Sequence, residues 1–548
     1  MILFFLFLFN KPIIGVFNVK PEKEVINLLK KCHFNFVQFY GEEDINKLKE
    51  KILVFKENNI SLIIDDPIIS SFASSLYYER KIDNLPIEIY QNFVNFNIPS
   101  SEKERYYFKI KLKRFKKDKN YLIIKKRNEK EEIFKRLLIR IDKNNEFIIT
   151  LKGEEFINVP YLIFDLEDKE NWQISSLTIY TSFSDSLLKG YFDKIIKERI
   201  DFYKNFVNED FKIYLYLSDE TKYYQYLTTR YVKEKIEKFS NKKITGLSHL
   251  PLITKDYCEK VKPRFLWVDI YHNIGKAADF NLERTPEPED TNFIYFLENL
   301  LIKNLDSVRK YSLIYKTPFI YEAPAFSEAG YIFDSLINYF PPYKKEWDDS
   351  IKRNSEDEGA YREMSEEELN CAINLALLYG AKGIFYWHFL PLQGIWQFQY
   401  GKNKGKYKYY YLCGMVKREN LSLRPIGEYV KRINKRLKDI LKILKDFTSK
   451  EVFSCDRKGF INKNSLSLFY TDYPYLHFGI LENSKKYLMI VEKSCQKNIR
   501  EAKIYSKRRL KLFDILEKRY IDFKKEKEDY YFIIRLKGGE GKIFEIID

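Results

Sequence analysis

Asp65, Asp219, Glu220, His249, Asp269, Tyr271, His272, Glu322, Trp387 and His388 each lie at the end of a short apolar run, and Trp396 follows soon after the last of them. Three of the five histidines in the chain belong to this set. So many acids, imidazoles and large rings suggest one chemistry in particular. Cleavage of a glycosidic bond needs two carboxyl groups on opposite sides of it. One protonates the leaving oxygen, and the other stabilises or attacks the anomeric carbon. Aromatic rings suit the apolar faces of sugars, and His and Asp suit their hydroxyls. Glu220 and Glu322 are the candidate pair. Asp65, Asp219, His249, Asp269, Tyr271, His272, Trp387, His388 and Trp396 are candidates for lining the sugar site.

Residues as far apart as Glu220 and Glu322, 102 positions, meet only if regular elements return the chain to one place again and again. The first part of the sequence has that form. Apolar runs Ile13 to Val19, Phe34 to Tyr40 and Ile60 to Ile64 alternate with amphipathic stretches Glu22 to Lys31 and Asp44 to Asn58. Near-continuous apolar strands separated by helices mean parallel strands covered on their outer face. The alternation resumes with runs at Ile213 to Leu217, Ile244 to Leu247, Phe265 to Ile270, Pro318 to Tyr321 and Ala381 to Tyr386. Ser365-Glu366-Glu367-Glu368 marks the start of the helix before the last run, as a capping box. Eight such strands predict a (β/α)8 barrel, an α/β fold whose active sites lie at the C-terminal ends of the strands. Glu220 and Glu322, three steps apart around that ring, would face one another across its mouth.

Between Tyr106 and Tyr180 the period changes to strand-like alternation, and it does so again after about residue 450. Both stretches predict β-sandwiches. The expected organisation is therefore barrel strands 1–3 in residues 1–85, an inserted β-sandwich in 86–182, the rest of the barrel in 183–448, and a C-terminal β-sandwich in 449–548.

The net charge of +17 raises a nucleic-acid or acidic-polymer partner. The basic residues are mixed with Glu and Asp throughout, however. The densest basic run, Lys109 to Arg127, starts as a strand with one solvated face, so no nucleic-acid partner is expected. The six cysteines are scattered with no CxxC pair, which argues against a disulfide scaffold and a zinc site. The first strand ends Phe17-Asn18-Val19 without the His pair common in metal-dependent barrel hydrolases, and no Gly-rich phosphate loop follows a strand. No metal or other cofactor is expected. The apolar start, Met1 to Phe9, is too short to span a bilayer. It resembles the central part of a secretory signal and favours an extracytoplasmic location over a cytoplasmic one. The oligomeric state leaves no mark in the sequence.

Ser218-Asp219-Glu220-Thr221 after the fourth strand and Glu322 after the seventh resemble the superfamily of barrel glycosidases with catalytic glutamates on those strands. Gly380 to Trp387 is similar to the strand-8 region of its β-galactosidase-like members, and Leu536 to Phe544 to the last hairpin of their C-terminal domain. The resemblance implies that Glu220 is the general acid/base and Glu322 the nucleophile of a retaining hydrolase acting on a carbohydrate. It departs at Asp219, where members usually carry Asn, and at the Ala-Pro-Ala-Phe context after Glu322. Structural readings stay open beside these. Glu220 can serve the dipole of the following helix, Asp65 and Asp66 can cap one, and Trp396 can pack beneath its loop. A non-catalytic carbohydrate-binding protein on a degenerate barrel is the alternative for the whole chain.

Overall fold

The computed structural model describes residues 12–74, 79–83, 87–90, 105–114, 119–127, 131–140, 146–152, 161–168, 172–181, 186–250, 252–273, 291–333, 361–397, 406–417, 420–444, 446–454, 469–471 and 473–547. Eight parallel strands close into a barrel: β1 (Ile13–Val16), β2 (Phe36–Tyr40), β3 (Ser61–Asp65), β4 (Ile213–Asp219), β5 (Gly246–Leu250), β6 (Leu266–Asp269), β7 (Phe319–Pro324) and β8 (Gly383–Trp387). Neighbours pair in chain order, and β8 returns to β1 in the register Ile13↔Gly383 to Val16↔Tyr386.

Side chains alternate between the two faces of each strand. The inner row packs the barrel with Ile13, Phe17, Phe36, Ile63, Tyr214, Tyr216, Leu247, Phe265, Trp267, Ile320 and Phe385. The outer row, with Val16, Val37, Leu62, Leu215, Val268 and Tyr321, lies in the larger core shared with the helices. Gly15 belongs to the inner row. A Cβ there would stand 2.2 Å from the Phe385 ring, so the absence of a side chain on β1 makes room for the ring on β8.

The helices that close the ring are locally encoded. Asp44 caps Ile45–Glu57, Asp66 caps Pro67–Ala73, and Ser365 with Glu368 forms the predicted capping box on Glu366–Leu378. Helix Pro425–Leu444 packs beside β8, where Asn434 accepts from Tyr386 and donates to the Cys32 carbonyl. Among the described residues no helix is long and apolar enough to cross a membrane. Cys32, Cys258, Cys371, Cys413 and Cys495 are buried and form no disulfide.

Between β3 and β4 the chain makes two four-stranded antiparallel sheets, from Glu79 to Thr181. Phe108, Ile110 and Leu112 of one sheet meet Leu122, Ile124 and Phe164 of the other in a common core with Trp172. This is the inserted β-sandwich. Lys109 of its basic strand pairs with Glu146 at 2.8 Å, as befits a solvated face. The sandwich begins earlier than the sequence pattern does, with strands Glu79–Asp83 and Ile87–Tyr90.

At the C-terminus a six-stranded and a four-stranded antiparallel sheet form the second sandwich. Strand Lys486–Glu492 is buried on both faces. Tyr487, Met489 and Val491 join the barrel core, while Leu488 and Ile490 join the core of the sandwich. The domain is thereby docked on helix Glu366–Leu378. Gly539, with φ +71°, makes the closest approach, since a Cβ there would be 1.9 Å from the Glu367 carbonyl oxygen. A three-stranded sheet of Ser327–Phe333, Tyr407–Cys413 and Leu392–Gln397 follows β7 and β8, and nothing in the sequence pattern announced it.

Candidate functional site

The inner rows lead upward to one group of side chains at the C-terminal ends of the strands. On β6, Trp267 is followed two positions later by Asp269. On β7, Ile320 is followed by Glu322; on β5, Leu247 by His249; on β8, Phe385 by Trp387. On β4 the register against β5 shifts between Tyr216 and Ser218. This bulge inserts one residue into the pleat and changes which positions face inward. Leu217 lies in the outer core and Ser218 bonds to Thr221 and Ser248. Asp219 is the residue that reaches the inner group.

His249 sits at the centre. Its Nδ1 is 2.8 Å from Asp219 Oδ1, and its Nε2 is 2.9 Å from Glu322 Oε2 and 3.5 Å from Asp269 Oδ2. The Nε2 contacts lie off the hydrogen-bond direction and are ionic in character. Tyr271 donates its hydroxyl to Glu322 Oε1 at 2.7 Å, and Tyr216 donates to Asp219 Oδ1 at 3.1 Å. Glu322 is fully buried, and His249 and Asp269 nearly so, whereas Asp219 is exposed at the mouth. Phe17 packs on Trp387 at 4.8 Å between ring centroids, and Trp387 lies almost parallel to the His249 ring. Tyr271 leans on Phe326 and Tyr361, at 5.3 and 5.7 Å.

The proton affinities follow from this crowding. Burial pushes His249 down, but the charges of Glu322 and Asp269 and the hydrogen bond to Asp219 outweigh it and hold the imidazole well above its ordinary value. The surrounding acids thus favour the protonated ring. Loss of water works against the charge on Asp219 too, yet its bond to His249 keeps the carboxyl below the ordinary range. Asp269 goes the other way. Burial, with Glu322 and Asp219 nearby, overcomes the pull of His249 and pushes it up to about 8. Burial and the same carboxylates raise the Tyr216 and Tyr271 phenols.

Of the residues expected from the sequence, Asp219, His249, Asp269, Tyr271, Glu322 and Trp387 come together. The others do not enter this network. Glu220 stands on the rim with its side chain 52% exposed, φ +45°, and a 3.0 Å pair with Lys222. Its charge nevertheless reaches Tyr361, whose phenol is raised by burial, Glu328, Asp269 and Glu220. Asp65 ends β3 half-buried, and burial raises its carboxyl against the hydrogen bond from Ser70. Its neighbour Asp66 is structural, gripping Arg199 and Tyr203 beneath the helix it caps.

His272 turns to the outer side and packs on Phe293. Burial lowers it to about 3, and it is neutral. His388 is likewise buried behind Trp387 and lowered to about 3. Neither imidazole meets the carboxylates. Both ring nitrogens of His249 face carboxylates. Trp396 falls on strand Leu392–Gln397, and its side chain lies outside the described residues.

The sequence reading missed Phe17, Tyr216, Phe326 and Tyr361. Phe17 and Tyr216 could have been found by counting in twos from Ile13 and Tyr214. No sequence signal marks Tyr361. Among the described residues, no group of three or more His, Cys, Asp or Glu side chains has the geometry to hold a metal ion.

No protein-family model matches the chain, and no curated protein matches it. Among solved structures it is similar to an α-amylase from Anoxybacillus, with 10% identity over 98% of this chain and 97% of that one, at a TM-score of 0.40. A rhamnosidase from Novosphingobium sp. PP1Y shares 6% identity over 98% and 82% of the two chains, with a TM-score of 0.39. A β-galactosidase from the psychrophilic Marinomonas ef1 shares 7% over 79% and 60%, with a TM-score of 0.36. Likenesses this slight carry no argument. The barrel itself is established by its closed ring of paired strands.

Proposed function

We propose that the chain is a glycoside hydrolase. In this reading Glu322 faces the anomeric carbon and Glu220 protonates the leaving oxygen. One observation carries it: Glu322 is fully buried at the barrel mouth, with a Tyr271 hydroxyl at 2.7 Å and the His249 imidazolium at 2.9 Å, beside aromatic side chains. A carboxylate fixed in a low-dielectric site stabilises a developing oxocarbenium ion better than a mobile one in water. Trp387, Tyr271 and Tyr361 offer ring faces for the apolar side of a sugar. Asp219 presents oxygens to its hydroxyls. Glu220 on the rim stands where a leaving group departs and where water can restore its proton.

A retaining enzyme forms a covalent glycosyl ester on its nucleophile, with the two carboxyl groups about 5–5.5 Å apart. The test is a panel of aryl glycosides, followed by trapping with the 2-deoxy-2-fluoro analogue of whichever sugar is turned over. The expected label lies on the peptide carrying Glu322 and is missing from Glu322→Gln. Label on another residue overturns the assignment, and no turnover of any member sinks the hydrolase reading. The position of Glu220 outside the buried group favours a second reading, a carbohydrate-binding barrel without catalysis. Sugar binding without hydrolysis would select it.

A further inference from the structure

We propose that His249 is a positioning residue. It acts as a fixed cation that holds Asp219 on one side and Glu322 on the other, and it does not itself touch the sugar. The role presupposes the hydrolase reading, but the cage that it rests on does not. Three carboxylates converge on this ring, Asp269 and Glu322 in a space largely closed to water and Asp219 at its mouth. Asp219 comes from β4, Asp269 from β6 and Glu322 from β7, at 2.8, 3.5 and 2.9 Å from the two ring nitrogens. Carboxylates crowded this closely cannot all ionise without a counter-charge. The titratable groups facing His249 are these three and the phenol of Tyr216, with Tyr271 on the far side of Glu322. Phe17, Trp267 and Trp387 fill the remaining sides with rings, at 5.7, 5.6 and 6.2 Å. No other cation in the described structure contacts these acids as closely, since Lys222 is engaged with Glu220.

The geometry has two consequences. The ring bridges β4 and β7, so it fixes the side-chain rotamers of the carboxylates at its two ends. It also sets a positive charge among the three acids, at 2.8 Å from Asp219 and 2.9 Å from Glu322. With Nδ1 bonded to Asp219 and the ring 1% exposed, His249 presents no open face to a sugar hydroxyl.

Two measurements on the full chain test this. With ¹⁵N-labelled histidine, long-range ¹H–¹⁵N spectra should show one imidazole that keeps its imidazolium pattern well above the ordinary 6.5. That signal should be absent from His249→Gln and should titrate at lower pH in Glu322→Gln. An imidazole that turns neutral near the ordinary 6.5, or one indifferent to Glu322→Gln, overturns the proposal, even if His249→Gln fails to fold. On an aryl glycoside, His249→Gln should lower kcat/KM by about 100-fold, through kcat rather than KM, as misplacement of a reacting group does. The acid limb of its pH profile should move to higher pH, because carboxylates that lose a neighbouring cation hold their protons longer. A folded His249→Gln with the wild-type profile also overturns it. Wild-type protein that hydrolyses nothing refutes the hydrolase reading, and the spectra then decide the cage on their own.

Discussion

Glu220→Gln separates the exposed rim acid from the buried group beneath it. The structure sets a low expectation for its effect on stability. The side chain is 52% exposed, its partner Lys222 is 54% exposed, and they meet at 3.0 Å. Exposed pairs of this kind contribute about 0–1 kcal/mol. Gln also meets the same backbone demand as Glu at φ +45°. The urea midpoint should therefore stay close to wild type. Activity should not. A positioned general acid contributes about 10²–10⁴-fold, or roughly 3–5 kcal/mol of barrel-mouth transition-state stabilisation at 1.36 kcal/mol per decade. The loss should follow the leaving group. A disaccharide or alkyl glycoside, whose oxygen cannot depart without a proton, should lose the full factor in kcat/KM. A 2,4-dinitrophenyl glycoside, whose phenolate departs unaided, should lose less than about tenfold. Initial rates on both substrates give the comparison. Equal losses on the two, or none on either, would refute the role of Glu220. Should Asp219→Asn show the leaving-group dependence instead, the acid is the residue that the β4 bulge turns inward.

Tyr271→Phe removes the hydroxyl that Glu322 Oε1 accepts at 2.7 Å. Hydrogen bonds to charged groups contribute about 1.5–3 kcal/mol, so kcat/KM on an aryl glycoside should fall by roughly 10–100-fold, and unchanged turnover would contradict the site. Trp267→Ala empties the centre of the barrel between Phe17 and Phe385, at 5.2 and 4.9 Å. It should cost about 3–5 kcal/mol in urea unfolding, and a cost under about 1 kcal/mol would mean that the interior is not packed there. Asp269 has a folded pKa of about 8 against an ordinary 3.8, so the folded state binds its proton more tightly. Its stabilisation is complete below the ordinary value and is lost as pH rises toward 8, with a slope of at most about 1.4 kcal/mol per pH unit. Asp269→Asn should flatten wild-type stability between pH 5 and 8, whereas parallel curves for the two proteins would exclude the shift.

The barrel was legible because both faces of its strands are buried, which leaves continuous apolar runs such as Ile213 to Leu217. Strand Lys486–Glu492 shows the same signature for the same reason, with one face on the barrel and one on its own sandwich. Glu79–Asp83 and Ile87–Tyr90 were not legible. Both are edge strands, and Glu79-Arg80-Lys81-Ile82-Asp83 carries the charge that edges use against unwanted pairing. Such a segment looks like a loop. Ser327–Phe333 escaped for another reason: it pairs with Tyr407–Cys413, and no local period reports a partner so distant in sequence.

The site divides along the pleat. A strand end tells only where a residue stands, and parity decides whether it faces in. Counting in twos from Trp267 selects Asp269 and Tyr271 and sends His272 outward, where Phe293 receives it. From Phe385 the same count selects Trp387 and sends His388 outward. Both buried histidines are thus explained by a rule that the sequence alone could have supplied. On β4 that rule fails. From Tyr214 and Tyr216 it points to Ser218 and Glu220, yet Asp219 meets His249, because the bulge before Ser218 adds a residue. A bulge has no composition of its own in Leu217-Ser218-Asp219. Its position becomes visible only when β5 is laid alongside and Ser218 is found opposite Ser248. That single-residue shift is why two adjacent acids have different fates here, one bound to the buried His249 ring and one left at the rim beside Lys222.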